Sequence, residues 1–132
     1  KLDLAVMRSF SSKYAFALYE AIARRINLKH KFNEELDMEG MRTVLSVEDG
    51  KLEAYRNLRI KAIEPAVTEV NAITPYNVKI TPRKKGRKVI GFTMHWYVKD
   101  EQGLIKSYKE LQAAKVGRTK RQEDATDTII DG

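Results

Sequence analysis

The sequence contains no cysteine, only three prolines and two histidines, and no apolar run that approaches the ~20 residues of a membrane-spanning helix. Without cysteine, the chain has no disulfide framework, no thiolate metal site and no cysteine nucleophile. Nothing near Lys1 resembles the apolar core of a secretory signal. With 132 residues, of which 33% are charged, the sequence predicts one globular domain in the cytoplasm with no membrane partner.

Positive charge is in excess and is unevenly distributed along the chain. Twenty-five lysines and arginines against 18 acids give a net charge of +7 and a pI near 9.6, which favours a polyanionic partner. Residues 34–53 contain seven acids and two bases, whereas residues 77–99 contain seven bases and no acid. Because an acid-free basic stretch attracts phosphate, residues 77–99 are the first candidate for an anion-binding surface.

Hydrophobic periodicity predicts three helices in the first half of the chain. The first spans Ser11–Ile26, with Ser11 or Ser12 as its N-cap. Asp37 is expected to cap the second helix. The third helical pattern runs over Lys51–Asn71.

A proline interrupts the third pattern. An apolar stripe along this helix is expected to face the core, and its members are Tyr55, Leu58, Ala62, Ala66 and Val70. Pro65 lies inside the pattern, and a proline removes one helix hydrogen bond and clashes with the preceding turn. We expect a kink near residues 62–64 or a restart of the helix at Pro65.

After Pro75 the hydrophobic period changes from helical to two, which predicts strands. The return strand places alternate apolar side chains on one face: Ile90, Phe92, Met94, Trp96 and Val98. Between the two strands, the run Arg83-Lys84-Lys85-Gly86-Arg87 predicts a hairpin turn with a basic tip. A short extended piece at Lys31–Asn33 and a fourth helix at Leu104–Ala114 complete the pattern.

This order of elements predicts an α+β fold, namely a winged helix-turn-helix with a three-helix core and a two-stranded basic wing. The fold suits a DNA duplex, because a helix about 10–12 Å wide fits a major groove about 12 Å wide. We assign residues 1–116 to a winged-helix DNA-binding domain. Residues 117–132 are assigned to a flexible C-terminal tail, since EDATDTIIDG shows neither helical nor strand periodicity.

The candidate DNA-contacting residues lie on the third helix and in the wing. Arg56 and Asn57 are chemically suited to read guanine and adenine, whereas Lys51 and Lys61 suit phosphates. Arg59 is a further candidate closer to the buried edge of the helix. The wing contributes five bases around its glycine: Arg83, Lys84, Lys85, Arg87 and Lys88. The alternative for each of these residues is an ordinary solvated surface position.

Four segments occur in an order that is itself informative. They are SSKYAFALYEAI (Ser11–Ile22), MRTVLSV (Met41–Val47), YRNLRIKAIEPAVTEVN (Tyr55–Asn71) and KKGRKVIGFTMHW (Lys84–Trp96). The most characteristic positions are Tyr19-Glu20, Tyr55, Pro65-Ala66, Glu69-Val70-Asn71 and Gly86-Arg87-Lys88. Together they resemble the iteron-binding plasmid replication initiator proteins. Leu58 departs from that family, which often has phenylalanine there, and the difference concerns core packing.

The resemblance implies a domain that binds direct repeats in double-stranded DNA at a plasmid origin, initiates replication and helps to recruit host replication proteins. Such initiators usually carry two tandem winged helices, and 132 residues accommodate one. We therefore expect this chain to be similar to the second, DNA-anchoring domain and to be a piece of a longer protein. Its expected protein partners are a second winged-helix domain or another copy of itself.

Motifs for catalysis are missing from the sequence. It contains neither a G-x-x-x-x-G-K-[ST] loop nor an H-E-x-x-H motif. An initiator that nicks DNA would need a histidine pair beside a nucleophilic tyrosine, but His30 and His95 lie far apart. The acids of residues 34–39 suit a helix cap and solvated loop charges better than a divalent cation. We expect no enzyme activity, no catalytic residue, no metal and no cofactor.

Two further hypotheses remain. In the first, the chain is a protein-interaction module whose basic wing is merely solvated. The face that carries Thr93, His95 and Tyr97, or the free edge of the two-stranded ribbon, would then pair with a second chain. In the second, the chain is a winged-helix transcriptional regulator, which shares the DNA-binding mechanism and differs in where its site lies.

Overall fold

The structure, a computed structural model, describes residues 3–28 and 32–123. The helices are α1 (Leu4–Ser9), α2 (Lys13–Arg25), α3 (Met38–Leu45), α4 (Tyr55–Leu58), α5 (Glu64–Ile73) and α6 (Glu101–Gln112), and the strands are β1 (Asn33–Asp37), β2 (Tyr76–Lys85) and β3 (Lys88–Val98). A π-helical segment, Arg59–Ile63, joins α4 to α5, and we call Tyr55–Ile73 as a whole the long helix. Helix α1 has no counterpart in the sequence-based prediction.

Local capping sets the starts of α2 and α3 as predicted. The Ser12 side chain accepts hydrogen bonds from the backbone N–H groups of Tyr14 and Ala15, so Ser12 rather than Ser11 is the N-cap of α2. Asp37 accepts a hydrogen bond from the N–H of Gly40 and caps α3. The extended piece was expected at Lys31–Asn33. Position 31 lies outside the described residues, and the strand occupies Asn33–Asp37.

The long helix begins at Tyr55 rather than at Lys51, and it accommodates Pro65 through its π-helical segment. There the N–H of Glu64 donates to the carbonyl of Arg59, five residues earlier. The buried stripe from Leu58 onward recurs every fourth residue, a longer period than that of an α-helix. One wider turn therefore keeps the stripe facing the core, and α5 begins at Glu64 with Pro65 in its first turn, which agrees with the expected restart of the helix at Pro65.

The three strands form one antiparallel sheet in the order β1-β3-β2. On β3, the side chains of Phe92, Met94 and Trp96 are buried among the helices, as expected. The prediction was wrong for Ile90 and Val98, which are exposed. Ile90 lies at a β-bulge, where Arg83 pairs with Gly91 and the next residue, Lys84, pairs with Val89. Val98 ends its strand.

Helix α6 starts earlier than expected, at Glu101 with Asp100 as its cap, and it presents a polar face to the core. Ser107 and Glu110 are buried, whereas the apolar side chains Leu104, Ile105 and Tyr108 are exposed. No helix in the described ranges, 3–28 and 32–123, combines the length and apolar composition needed to cross a membrane.

The first residues of the predicted C-terminal tail pack against the domain. Residues 118–123 are helical, and Arg118 is only 3% exposed. Its guanidinium forms ion pairs with Glu69 at 3.0 Å and with Glu110 at 3.4 Å. This differs from the expectation of a flexible segment from residue 117 onward, because distant carboxylates hold Arg118 in place. Residues 124–132 lie outside the described part of the chain.

Candidate nucleic-acid interface

The first half of the long helix presents a polar face opposite its core stripe. Leu58 and Ala62 are buried on the core side. The outward-facing residues are Arg56, Asn57, Ile60, Lys61 and Glu64. The predicted base-reading pair, Arg56 and Asn57, therefore lies on an accessible surface together with Lys61.

Lys51, predicted on the helix, lies in the loop that precedes it. Three carbonyls of this loop, those of Glu48, Lys51 and Leu52, accept hydrogen bonds from the guanidinium of Arg42 at 2.6–3.1 Å. These bonds hold the loop against α3 and keep Lys51 out of the helix. Lys51 remains exposed, one short loop before the start of the long helix.

Arg59 differs from the other predicted DNA-contacting residues because it has an intramolecular partner. Its Nη1 lies 2.8 Å from Oε2 of Glu64, and both side chains are about half exposed. The two residues are five positions apart, and the π-helical segment between them brings their side chains together. Glu64 therefore competes with any external anion for Arg59.

The tip of the wing is a two-residue hairpin turn made by Gly86 and Arg87. Gly86 has a φ of +64°, the left-handed value that a type II′ turn requires at its first central position. Four of the five predicted wing bases surround it and are exposed: Lys84, Lys85, Arg87 and Lys88. The tip is thus a compact group of cations with no carboxylate in either strand beside it.

Arg83, the fifth predicted wing residue, does not belong to this exposed tip. It is half-buried, and its guanidinium packs over Gly91 of β3. A Cβ atom on Gly91 would lie 2.7 Å from Nη2 of Arg83 and 2.6 Å from the carbonyl oxygen of Leu36. The absence of that atom lets Arg83 and β1 both approach β3. Within the described ranges, the buried Nε of Arg83 has no hydrogen-bond partner.

The start of the long helix contacts the base of the wing. The ring of Tyr55, the first residue of the helix, lies 6.1 Å from the ring of Phe92. Phe92 pairs in register with Pro82, and Arg83 and the tip follow along β2. Arg56 and Asn57 directly follow Tyr55 and therefore lie near the base of the wing. The acidic strand β1 lies at the opposite edge of the sheet.

The Glu-Val-Asn triplet of the long helix has a structural role. Glu69 accepts hydrogen bonds from the backbone N–H groups of Ser11 and Ser12, at the start of α2. Asn71 both donates to and accepts from the backbone of Val78 on β2. These bonds fix the long helix between α2 and the sheet, which orients its exposed face.

Charge and hydrogen-bonding capacity point to the basic and amide residues of this surface as candidate DNA contacts, but not to Ile60. This side chain is 41% exposed between Asn57 and Lys61. A search for basic and polar residues cannot find an apolar contact. Its position in the sequence does indicate exposure. Ile60 is two residues from both Leu58 and Ala62, so it lies on the side of the helix opposite the core stripe.

The histidines and acids form no recognisable metal centre in the part of the chain that the structure describes. His95 is exposed on the outer face of the sheet beside Tyr97, and position 30 is not described.

Comparison with known proteins agrees with this geometry. No curated protein matches the chain. Residues 37–96 match the family model described as initiator Rep protein, WH2. The match starts at the cap of α3 and extends through the long helix and both wing strands to Trp96. These residues, 60 of the 132 in the chain, are therefore similar to the winged-helix domain of initiator Rep proteins, a similarity that supports DNA binding and plasmid replication initiation.

Proposed function

We propose that this domain binds double-stranded DNA sequence-specifically, at directly repeated iteron sequences of a plasmid origin. In this proposal the first half of the long helix enters the major groove, where Arg56 and Asn57 read base edges. Lys51, Lys61 and the wing tip contact phosphates on either side. Arg59 and Arg83 contribute less, since Arg59 is paired with Glu64 and Arg83 is half-buried on the sheet.

The observation that supports the proposal is the contact between the start of the long helix and the base of the wing, made by Tyr55 and Phe92. A groove-sized helix that begins at the base of a basic hairpin can contact a groove and its flanking backbone at the same time. We propose that the domain acts by binding alone, without catalysis, metal or cofactor.

Selection of bound duplexes from a random library would identify the site, and recovered motifs should occur as direct repeats beside a plasmid origin. Phosphate neutralisation by about five contacts predicts a log–log slope of affinity against salt near −4 to −5. Arg56→Ala should cost roughly 1–3 kcal/mol on the selected site and little on random duplex. A slope near zero, or equal losses on both duplexes, would contradict the proposal.

The proposed protein partners are a second winged-helix domain, another copy of this chain, and host replication proteins. The exposed apolar side chains of α6 favour a protein contact on that helix, away from the wing. β1 already pairs with β3 over residues 91–95, so a second chain that adds to the sheet would use the outer edge of β2. Sedimentation with and without duplex distinguishes a DNA-binding domain from a protein-interaction module. A tight dimer whose sedimentation does not change when duplex is added would favour the interaction module.

A further inference from the structure

We infer that Ile60 determines part of the DNA specificity by contacting the C5-methyl group of a thymine. The inference rests on the proposed function, since it requires the long helix to lie in the major groove. It assigns a role in specificity to an apolar residue, whereas the residues considered above act through charge or hydrogen bonds.

Ile60 lies in the middle of the exposed face of the long helix. It is the one apolar member of a set of exposed side chains that otherwise comprises Arg56, Asn57, Lys61 and Glu64. It follows Arg56 by four residues and Asn57 by three, which places it one turn further along the same side of the helix. A duplex that contacts Arg56 and Asn57 therefore also meets Ile60.

Folding does not account for isoleucine at this position. A β-branched side chain is a poorer helix former than alanine or leucine. The core beneath is filled by Leu58 and Ala62 from the other side of the helix. The cleft that borders Ile60 is lined mainly by polar side chains, among them Ser12 and Thr119. An exposed isoleucine in this setting gains most from an apolar surface on a partner.

The major groove offers one apolar group, the C5-methyl of thymine. One helical turn places Ile60 about 6 Å further along the helix axis than Arg56. That distance is roughly two base pairs at a rise of about 3.4 Å per base pair. Arg56 and Asn57 would thus read hydrogen-bonding edges while Ile60 covers a methyl group about two base pairs away. Burying one such group corresponds to about a fourfold gain in affinity.

Deoxyuridine, which lacks the C5-methyl group, provides the test. Each thymine of the selected duplex is replaced by deoxyuridine in turn, and the affinity is measured for the wild-type chain and for Ile60→Ala. We expect one substitution, or two adjacent ones, to weaken wild-type binding about fourfold. Ile60→Ala should lose a similar factor on the thymine duplex and become insensitive to the same deoxyuridine.

Leu28→Ala is the control, because it truncates an aliphatic side chain at a 51% exposed position just after α2. It should bind like the wild type and keep the deoxyuridine effect. The inference fails if no deoxyuridine weakens wild-type binding, or if the effect persists in Ile60→Ala. Failure of the wild-type chain to bind any duplex would instead overturn the proposed function. Thermal unfolding of each variant, followed by circular dichroism, checks that the fold is retained.

Discussion

Lys99 shows at the residue scale how a single buried charge couples stability to pH. Its ammonium group donates to the carbonyls of Asn71 and Thr74 and to the hydroxyl of Ser107. All three acceptors are neutral oxygens. Burial without a carboxylate partner disfavours the charged form and lowers the pKa of Lys99 to about 8.

The lowered pKa predicts that stability rises with pH above about 8. The unfolded chain keeps the ordinary lysine pKa of 10.5, so between these values the unfolded state binds more protons than the folded state. The melting temperature should therefore increase from pH 8 to pH 9.5, as measured by circular dichroism. Lys99→Met should abolish the increase. A melting temperature that falls over this range in the wild type would refute the assignment.

Tyr19 and Tyr76 set the highest pH at which the effect of Lys99 can be measured. Burial raises the pKa of both phenols above the ordinary 10.0. Because the unfolded chain then loses these protons first, stability should fall again above about pH 10. The rise due to Lys99 is therefore measured below that pH.

At the scale of elements, the wing separates into an exposed tip and a packed base. Lys84 and Lys85 are exposed beside the turn, whereas Arg83 lies on Gly91 and is half-buried. Mobile exposed lysines suit phosphates, which carry no sequence information. The tip should therefore supply affinity that is independent of sequence, and the long helix should supply discrimination.

Lys84→Gln combined with Lys85→Gln tests this division of roles. The double variant should weaken binding to the selected site and to random duplex by similar factors. It should also reduce the magnitude of the salt slope by about 2, one counterion for each lost phosphate contact. Lys106→Gln with Lys109→Gln removes two exposed charges from α6 and should leave the slope unchanged. A selective loss on the specific site would show that the tip reads bases.

At the scale of the whole molecule, residues 118–121 connect the end of α1, the long helix and α6. Arg118 contacts Glu69 and Glu110, and it also donates to the carbonyl of Ser9. Glu69 in turn holds the backbone at the start of α2. Arg121 donates two further hydrogen bonds to Glu110, and these bonds, together with the one from Arg118, lower the pKa of that carboxyl. One ionic cluster therefore joins four parts of the chain.

Arg118→Met should lower the free energy of unfolding by about 3–5 kcal/mol, because it leaves the buried carboxylate of Glu69 without its cation, whereas Glu110 keeps Arg121. Urea denaturation measures this loss. Lys13→Met provides the control, since Lys13 pairs with Glu48 where both side chains are mostly exposed, and this pair should contribute at most about 1 kcal/mol. If the two substitutions lower the free energy of unfolding by the same amount, residues 117–123 are not part of the cooperative fold.

Sequence patterns predicted most of the architecture, because those features depend on neighbours a few residues apart. The Asp37 cap of α3, the stripe from Tyr55 to Val70 and the basic turn at Gly86 are all interactions of this kind. The motif order that resembles plasmid initiators covers the segment that matches the Rep family model. The alternation of apolar residues does not reveal a β-bulge or the end of a strand, and for this reason it failed at the exposed Ile90 and Val98.

The sequence by itself determined the element order from α2 to α6, the charge distribution and the candidate DNA-contacting residues, since periodicity and composition act locally. Tertiary structure alone decided which of those residues are available. It placed Lys51 in a loop held by Arg42, paired Arg59 with Glu64 across a π turn, and seated Arg83 on Gly91. It also packed Arg118 against Glu69, 49 positions away. The Arg59–Glu64 pair requires a π turn that an α-helical pattern does not predict, and the contacts of Arg83 and Arg118 depend on how whole elements pack.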